Sequence, residues 1–226
     1  MSVITVERKI LAKNDELAEH NRNLLKQNEI FTINLVSSPG SGKTSLLEKT
    51  FETLGSKVDI SVIEGDVQTS LDAERVANYN VPVVSIVTNG ACHLEAKLVQ
   101  DALSNLDLEK TELLFIENVG NLVCPAGFDL GENMKIVLVS TTEGDDKPLK
   151  YPKMFRNSEA MIINKTDLIP YVNCNIETLK NNALNVNPGL KIFEVSCTSG
   201  AGIKEWCNWL VENVRTKHSH EKQLMY

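Results

Sequence analysis

From Phe31 onward the chain alternates short apolar runs with longer polar stretches. The runs FTINLV, VDISVI, VVSIV, ELLFIE, KIVLVS, AMIIN and KIFEV have strand length and are rich in β-branched residues. They are apolar almost continuously rather than in alternation, which predicts strands covered on both faces. The fold expected is therefore α/β, a mostly parallel central sheet of about seven strands with helices on both faces. Polar segments at 44–54, 71–78, 94–106, 176–184 and 203–214 have helical spacing and supply the crossovers. Ahead of the sheet, residues 5–29 are polar, lack Gly and Pro, and put Ile10, Leu17, Leu24 and Leu25 near helical spacing. The predicted organisation is an N-terminal helix at 1–29, one domain at 30–216 and a frayed tail at 217–226 that carries His218 and His220.

In parallel sheets ligands bind beyond the carboxyl ends of the strands, so the residues after each apolar run carry the chemistry. After FTINLV comes Ser37-Ser38-Pro39-Gly40-Ser41-Gly42-Lys43-Thr44-Ser45, opening a helix. Backbone NH groups of Gly40, Ser41, Gly42 and Ser45 can surround a β-phosphate, Lys43 can reach the β and γ oxygens, and Thr44 can ligate Mg²⁺. Ser37 stands where the phosphate-loop pattern has its first glycine; the strand before and the helix after are the context the motif demands. After AMIIN, Asn164-Lys165-Thr166-Asp167 matches N-K-x-D. A carboxylate at Asp167 can accept from guanine N1-H and its exocyclic amine, a donor pair adenine does not present, and Lys165 can lie along the base plane. Ser196 and Cys197, after KIFEV, fall where a loop backbone can touch the base. GTP is preferred over ATP.

Two further strand ends carry acids, Glu64-Gly65-Asp66 and Glu117-Asn118-Val119-Gly120. Magnesium takes oxygen ligands, so Asp66 and Glu117 join Thr44 as candidates for it. Asp72 is either the residue that orients the attacking water or a helix cap. Lys43, Asp66, Asp72 and Glu117 are thus the catalytic candidates. No glutamine follows Gly120, which predicts slow, partner-dependent turnover. Cys92-His93 follows VVSIV and its loop, and Cys124 lies seven residues beyond Glu117. Thiolate and imidazole suit Zn²⁺ or Ni²⁺, but the residues alone leave open two ordinary thiols and a surface imidazole. Adjacent Cys92 and His93 can also point apart and bridge two ions across a dimer axis. Cys174, Cys197 and Cys207 read as structural, and His20 as solvated.

Composition narrows the partners. The chain has 226 residues and is 42% apolar, with 23 Lys and Arg against 30 Asp and Glu, a net charge of −7. Nucleic acid and anionic membranes attract the opposite sign, so neither is the expected partner. No apolar run reaches the roughly 20 residues of a bilayer span, and MSVITVERKI lacks a signal-peptide core, so a cytoplasmic location is expected. Five irregularly spaced cysteines do not make a disulfide framework.

The blocks SSPGSGKTSLL, EGDVQTSLDAERV, TNGACHLEA, LLFIENVGNLVCPAGFDLGE, TEGDDKPLKYP and INKTDL, in that order, resemble the HypB-type GTPases that insert nickel into NiFe hydrogenase. The resemblance implies a SIMIBI-class P-loop fold, a homodimer favoured by GTP, and partners among the hydrogenase large-subunit precursor and other maturation proteins. It implies GTP or GDP with Mg²⁺ as cofactors, and Zn²⁺ or Ni²⁺ on Cys92, His93 and Cys124. Lys147 or Lys150, in its acidic segment, either reaches the other nucleotide across the dimer or is a solvated loop residue. Two departures matter: the sequence has no amino-terminal cysteine cluster and no histidine-rich stretch, so delivery is expected to rest on the internal site. The competing resemblances are a urease-type or cobalamin-type maturation GTPase and a GTP-controlled switch with a structural zinc. The urease type would carry a C-P-H order, whereas Cys92 here directly precedes His93.

Overall fold

A computed structural model describes the backbone of residues 6–224 and the side chains of residues 11–216; His218 and His220 lie outside the described side chains. Among the described residues seven parallel strands form one sheet in the order β3-β2-β4-β1-β5-β6-β7. They are β1 Phe31–Ser37, β2 Ile60–Asp66, β3 Val83–Val87, β4 Leu113–Glu117, β5 Met134–Ser140, β6 Ala160–Asn164 and β7 Lys191–Glu194. The helices are α1 Val6–Gln27, α2 Lys43–Leu54, α3 Leu71–Ala77, α4 Ala96–Leu103, α5 Lys147–Lys150, α6 Pro152–Arg156, α7 Ile176–Val186 and α8 Ile203–Leu224.

The central strands are buried along nearly their whole length because helices cover both faces. β1 is wholly buried, and α2 and α8 pack over it around Phe51, Phe193 and Trp206. Leu25, Ile63, Val99 and Ile116 form a second layer with α1 and α4, and Val36, Met154 and Leu179 a third. The edge strands β3 and β7 are more exposed: every residue of β3 is half-buried or exposed although VVSIV reads as apolar throughout, and among the described residues no strand pairs beyond it.

Three details differ from the sequence expectation. β2 begins at Ile60 and runs through Asp66, so Glu64 and Gly65 lie inside the strand. A short helix α5 closes the acidic segment and α6 follows it, where no helix was expected; Pro148 and Pro152 start rather than break them, since the first turn needs no proline NH. The final helix does not end near Val214 but continues to Leu224.

The leading helix packs on this chain, yet with a different stripe from the leucine pattern. Asn14, Ala18, Asn21 and Leu25 are buried, while Leu17 and Leu24 are partly exposed. Asn14 and Asn21 are inside because they serve backbone groups that would otherwise be orphaned. Asn14 accepts from the Ala96 NH and donates to the Asp129 carbonyl, while Asn21 donates to the carbonyls of Ala96 and Leu130. Arg22 adds the Glu132 carbonyl and the Asp129 carboxylate.

Candidate functional site

All the strand ends named above open on one edge of the sheet. β1 ends at Ser37, and the chain turns through Gly40 (φ 73°) and Gly42 (φ 99°) into α2. A side chain at Gly42 would meet the Asn164 amide at 2.5 Å, so only glycine lets the loop lie against β6. The loop is held from three sides. Ser41 Oγ lies 2.7 Å from both the Ser38 carbonyl and the Glu143 carboxylate, Asn164 donates to the Ser41 carbonyl at 2.9 Å, and Lys165 Nζ to the Gly40 carbonyl at 2.7 Å. Lys43 Nζ rests on Ser37 Oγ at 3.2 Å, and Ser45 Oγ accepts from Arg75.

Thr44 donates to Glu117 Oε1 at 2.8 Å, bringing together two of the three expected magnesium ligands. Glu117 is buried, and among the described residues its other oxygen has no hydrogen-bond partner. Burial pushes its carboxyl up to about 7, against the pull of Lys43 and Thr44. An orphaned, desolvated carboxylate oxygen beside a threonine hydroxyl is what a hard cation would satisfy. Asp66 stands apart from that pair. Its oxygen accepts from the NH groups of Gln68 and Thr69, and it gathers with Glu64 and Asp72, whose ligand atoms lie within 4.8 Å of one another. Burial works to raise the Asp66 carboxyl, but those NH groups and the Lys43 charge outweigh it and hold the carboxyl below its ordinary value. Asp72 is not the cap of α3, which is Ser70; it lies one residue inside the helix and pairs with Arg75 at 2.9 Å. Arg75 also grips Glu48 of α2.

Glu64 was not among the sequence candidates. It is buried, lies in register with Glu117 on the neighbouring strand, and is pushed up to about 7 by burial and by the Glu117 charge. An acid at an inward position of an apolar strand was the available signal.

At the base end, Lys165 takes a left-handed backbone (φ 59°), turning the chain so that Asp167 follows. Ser196 Oγ donates to Asp167 at 2.5 Å, and Cys197 NH to the Asn164 side chain at 3.4 Å. The two loops predicted to meet guanine are therefore tied together. The Cys197 thiol, raised to about 11 by burial, stays neutral.

Cys92 and His93, between β3 and α4, do not point apart. With Cys124, at the start of a tight 3₁₀ turn, their ligand atoms lie within 4.8 Å of one another. The two sulfurs are 2.8 Å apart, beyond the roughly 2.05 Å of a disulfide, and both cysteines are free. The His93 ring packs on Phe128 with centroids 4.0 Å apart; its Nε2 is buried without a hydrogen-bond partner among the described residues, and Glu95 Oε1 lies 3.9 Å away. Burial holds the imidazole below its ordinary value, leaving a neutral nitrogen with a lone pair. The hydrogen bond to Cys124 raises Cys92. Two soft sulfurs and one neutral nitrogen fit a transition metal. The remaining thiols pack in the core layers, Cys207 and Cys197 in one and Cys174 in another. Lys147 and Lys150 pair within this chain, with Glu143 and Asp146.

A glycine-rich loop between β1 and α2, an N-K-x-D turn after β6 and an all-parallel sheet define a P-loop nucleotide-binding protein of the SIMIBI class. The fold is shared with Aeropyrum pernix signal recognition particle 54 kDa protein in complex with GDP, at TM-score 0.57 and 13% identity over 87% of this chain and 50% of that one. Residues 31–194 match the CobW/HypB/UreG nucleotide-binding domain. The Azotobacter vinelandii hydrogenase maturation factor HypB is 50% identical over 92% of this chain and 69% of its own length. The crystal structure of HypB from Helicobacter pylori in complex with nickel superposes at TM-score 0.87, with 39% identity over 90% of this chain and 96% of that one. The chain belongs to the HypB hydrogenase maturation factors of the CobW/HypB/UreG family. Among the described residues no helix is long and apolar enough to cross a membrane.

Proposed function

We propose that this chain hydrolyses GTP to GDP and phosphate and carries nickel to a NiFe hydrogenase precursor in the cytoplasm, nucleotide state setting how tightly nickel is held. Gly40, Ser41, Gly42 and Ser45 offer backbone NH groups to the phosphates and Lys43 its ammonium. Asn164, Lys165 and Asp167 select guanine, with the backbone of Ser196 and Cys197 against the base. Thr44, Asp66 and Glu117 would hold Mg²⁺, which when bound neutralises phosphate charge. Asp72 faces the same acidic pocket and orients the attacking water. Cys92, His93 and Cys124 hold Ni²⁺ as cargo, or Zn²⁺ in its place. The acting form is a homodimer favoured by GTP, in which Lys147 or Lys150 leaves its carboxylate partner for the other nucleotide, and other maturation proteins receive or supply the metal.

One observation carries this reading: the Thr44 partner Glu117, at the end of β4, and the candidate ligand Cys124 lie on a single stretch of chain leading toward β5. A backbone shift prompted by the γ-phosphate at one end displaces a ligand at the other, and the coupling is reciprocal in binding free energy. Nickel titrations with GDP and with a non-hydrolysable GTP analogue should give different affinities; equal values would end the proposal. Cys124→Ala should abolish nickel binding and leave GDP affinity within about threefold, since the thiol touches no nucleotide-facing group. Metal content and oligomeric mass of the apo, GDP and GTP-analogue forms test the dimer: an unchanged monomer mass with the analogue removes it.

A further inference from the structure

One fully buried residue, itself no ligand, ties the start of this stretch to the loop that carries Cys92 and His93. Asn118 follows Glu117 at the tip of β4 and is 1% exposed. Its side-chain oxygen accepts two backbone NH groups, from Val119 at 2.9 Å and from Leu94 at 3.1 Å. Val119 belongs to the segment lying on the phosphate loop: a side chain on the next residue, Gly120, would meet Pro39 at 3.0 Å. Leu94 is the residue after the metal ligand His93, and its side chain packs over Gly65, between Glu64 and Asp66; a Cβ there would come within 2.8 Å of it. The amide end of Asn118 donates to Asn34 Oδ1 at 3.2 Å, and Asn34 is fixed in β1 by donating to Glu132 at 3.0 Å. One carboxamide oxygen is thus shared by the backbones of the nucleotide segment and the metal loop, while its other end is anchored on the strand that feeds the phosphate loop.

We propose that Asn118 is the positioning residue through which the phosphate loop and the Cys92/His93/Cys124 site sense each other. A buried NH left without its acceptor is costly, so neither backbone moves away from this oxygen alone. If Val119 shifts with Gly120 and Pro39, Asn118 swings, and Leu94 must follow or lose its partner. His93, one bond along, then turns against Phe128. The proposal rests on the coupling of nucleotide and nickel argued above and names the group that transmits it.

The test is nickel titration of the full chain with GDP and with a non-hydrolysable GTP analogue, for wild type, Asn118→Ala and Asn118→Asp. Fluorescent GDP binding and thermal midpoints serve as controls. Wild type should show affinities differing by at least about fivefold between the two nucleotides. Asn118→Ala should bring the two within about twofold of each other while GDP affinity stays within about threefold. Asn118→Asp keeps an oxygen where both NH groups reach it and preserves the side-chain shape, so it should retain most of the wild-type difference. If the alanine chain does not fold, Asn118→Ser takes its place, its hydroxyl being too short to reach Leu94. A wild-type difference that survives in the alanine or serine variant overturns the role of Asn118 alone. So does a loss shared equally by the aspartate variant, in which the oxygen that both NH groups use is still present. Equal affinities in wild type overturn the underlying coupling, and that arm is read without any variant.

Discussion

Asp167, the proposed guanine contact, is already oriented, because Ser196 donates to it from the neighbouring loop and the left-handed Lys165 sets its approach. A carboxylate held this way costs little reorganisation when the base arrives. Asp167→Asn should weaken GTP binding about 100-fold or more, since hydrogen bonds to a charged group are each worth about 1.5–3 kcal/mol. The same variant should gain affinity for xanthosine triphosphate, whose 2-oxo group accepts where guanine donates; competition binding with both nucleotides checks it, and an unchanged preference for guanine would remove Asp167 from the base pocket. Motif residues of this kind were legible from order and spacing. Glu64 was not, because a strand-interior acid gains meaning only when its neighbour in the sheet is known to be Glu117.

At the level of elements, α1 is the part least readable from its own pattern. Its leucines pointed to one stripe, whereas the buried stripe contains two asparagines whose partners, Ala96, Asp129 and Leu130, lie about a hundred residues away. The spacing 14, 18, 21, 25 was visible; the reason for polar residues on it was not. By these bonds α1 clamps the start of α4, which follows Cys92 and His93, to the turn that follows Cys124 and Phe128. Gly131 lets the helix approach: it has φ 96°, and a Cβ would meet the Ala18 carbonyl at 2.7 Å and the Arg22 NH at 2.8 Å. Gly131→Ala should therefore cost about 2–4 kcal/mol of stability, from overpacking and left-handed strain together. Denaturant unfolding measures it; a midpoint equal to wild type would show that α1 does not need this contact. The edge strands were misjudged for a related reason. Apolar runs in β2 and β3 look alike, and only sheet order makes one central and the other half-exposed.

Across the whole molecule, two acids on adjacent strands are both pushed up to about 7, from an ordinary value of 4.5, chiefly by burial. The folded state then keeps protons that the unfolded chain has released, so stability is lost as pH rises from about 4.5 to 7 and stays lost above it. Nucleotide-free protein should melt lower at pH 8 than at pH 5, and Glu117→Gln should flatten that dependence and melt higher than wild type at pH 8. Superimposable melting profiles of the two proteins would refute the assignment. A cation bound to Glu117 must displace its proton, so Mg²⁺·GDP should stabilise wild type more at pH 8 than at pH 5. The sequence by itself determined the parallel α/β architecture and placed the glycine-rich and N-K-x-D turns at the ends of their strands, because apolar periodicity and short motifs act over a few residues. Tertiary structure decided that Cys92, His93 and Cys124 converge, that Glu64 joins the acids and that Asn118 touches both loops. Those facts depend on which strands lie side by side, and strand order arises from packing across the whole chain, which no local spacing encodes.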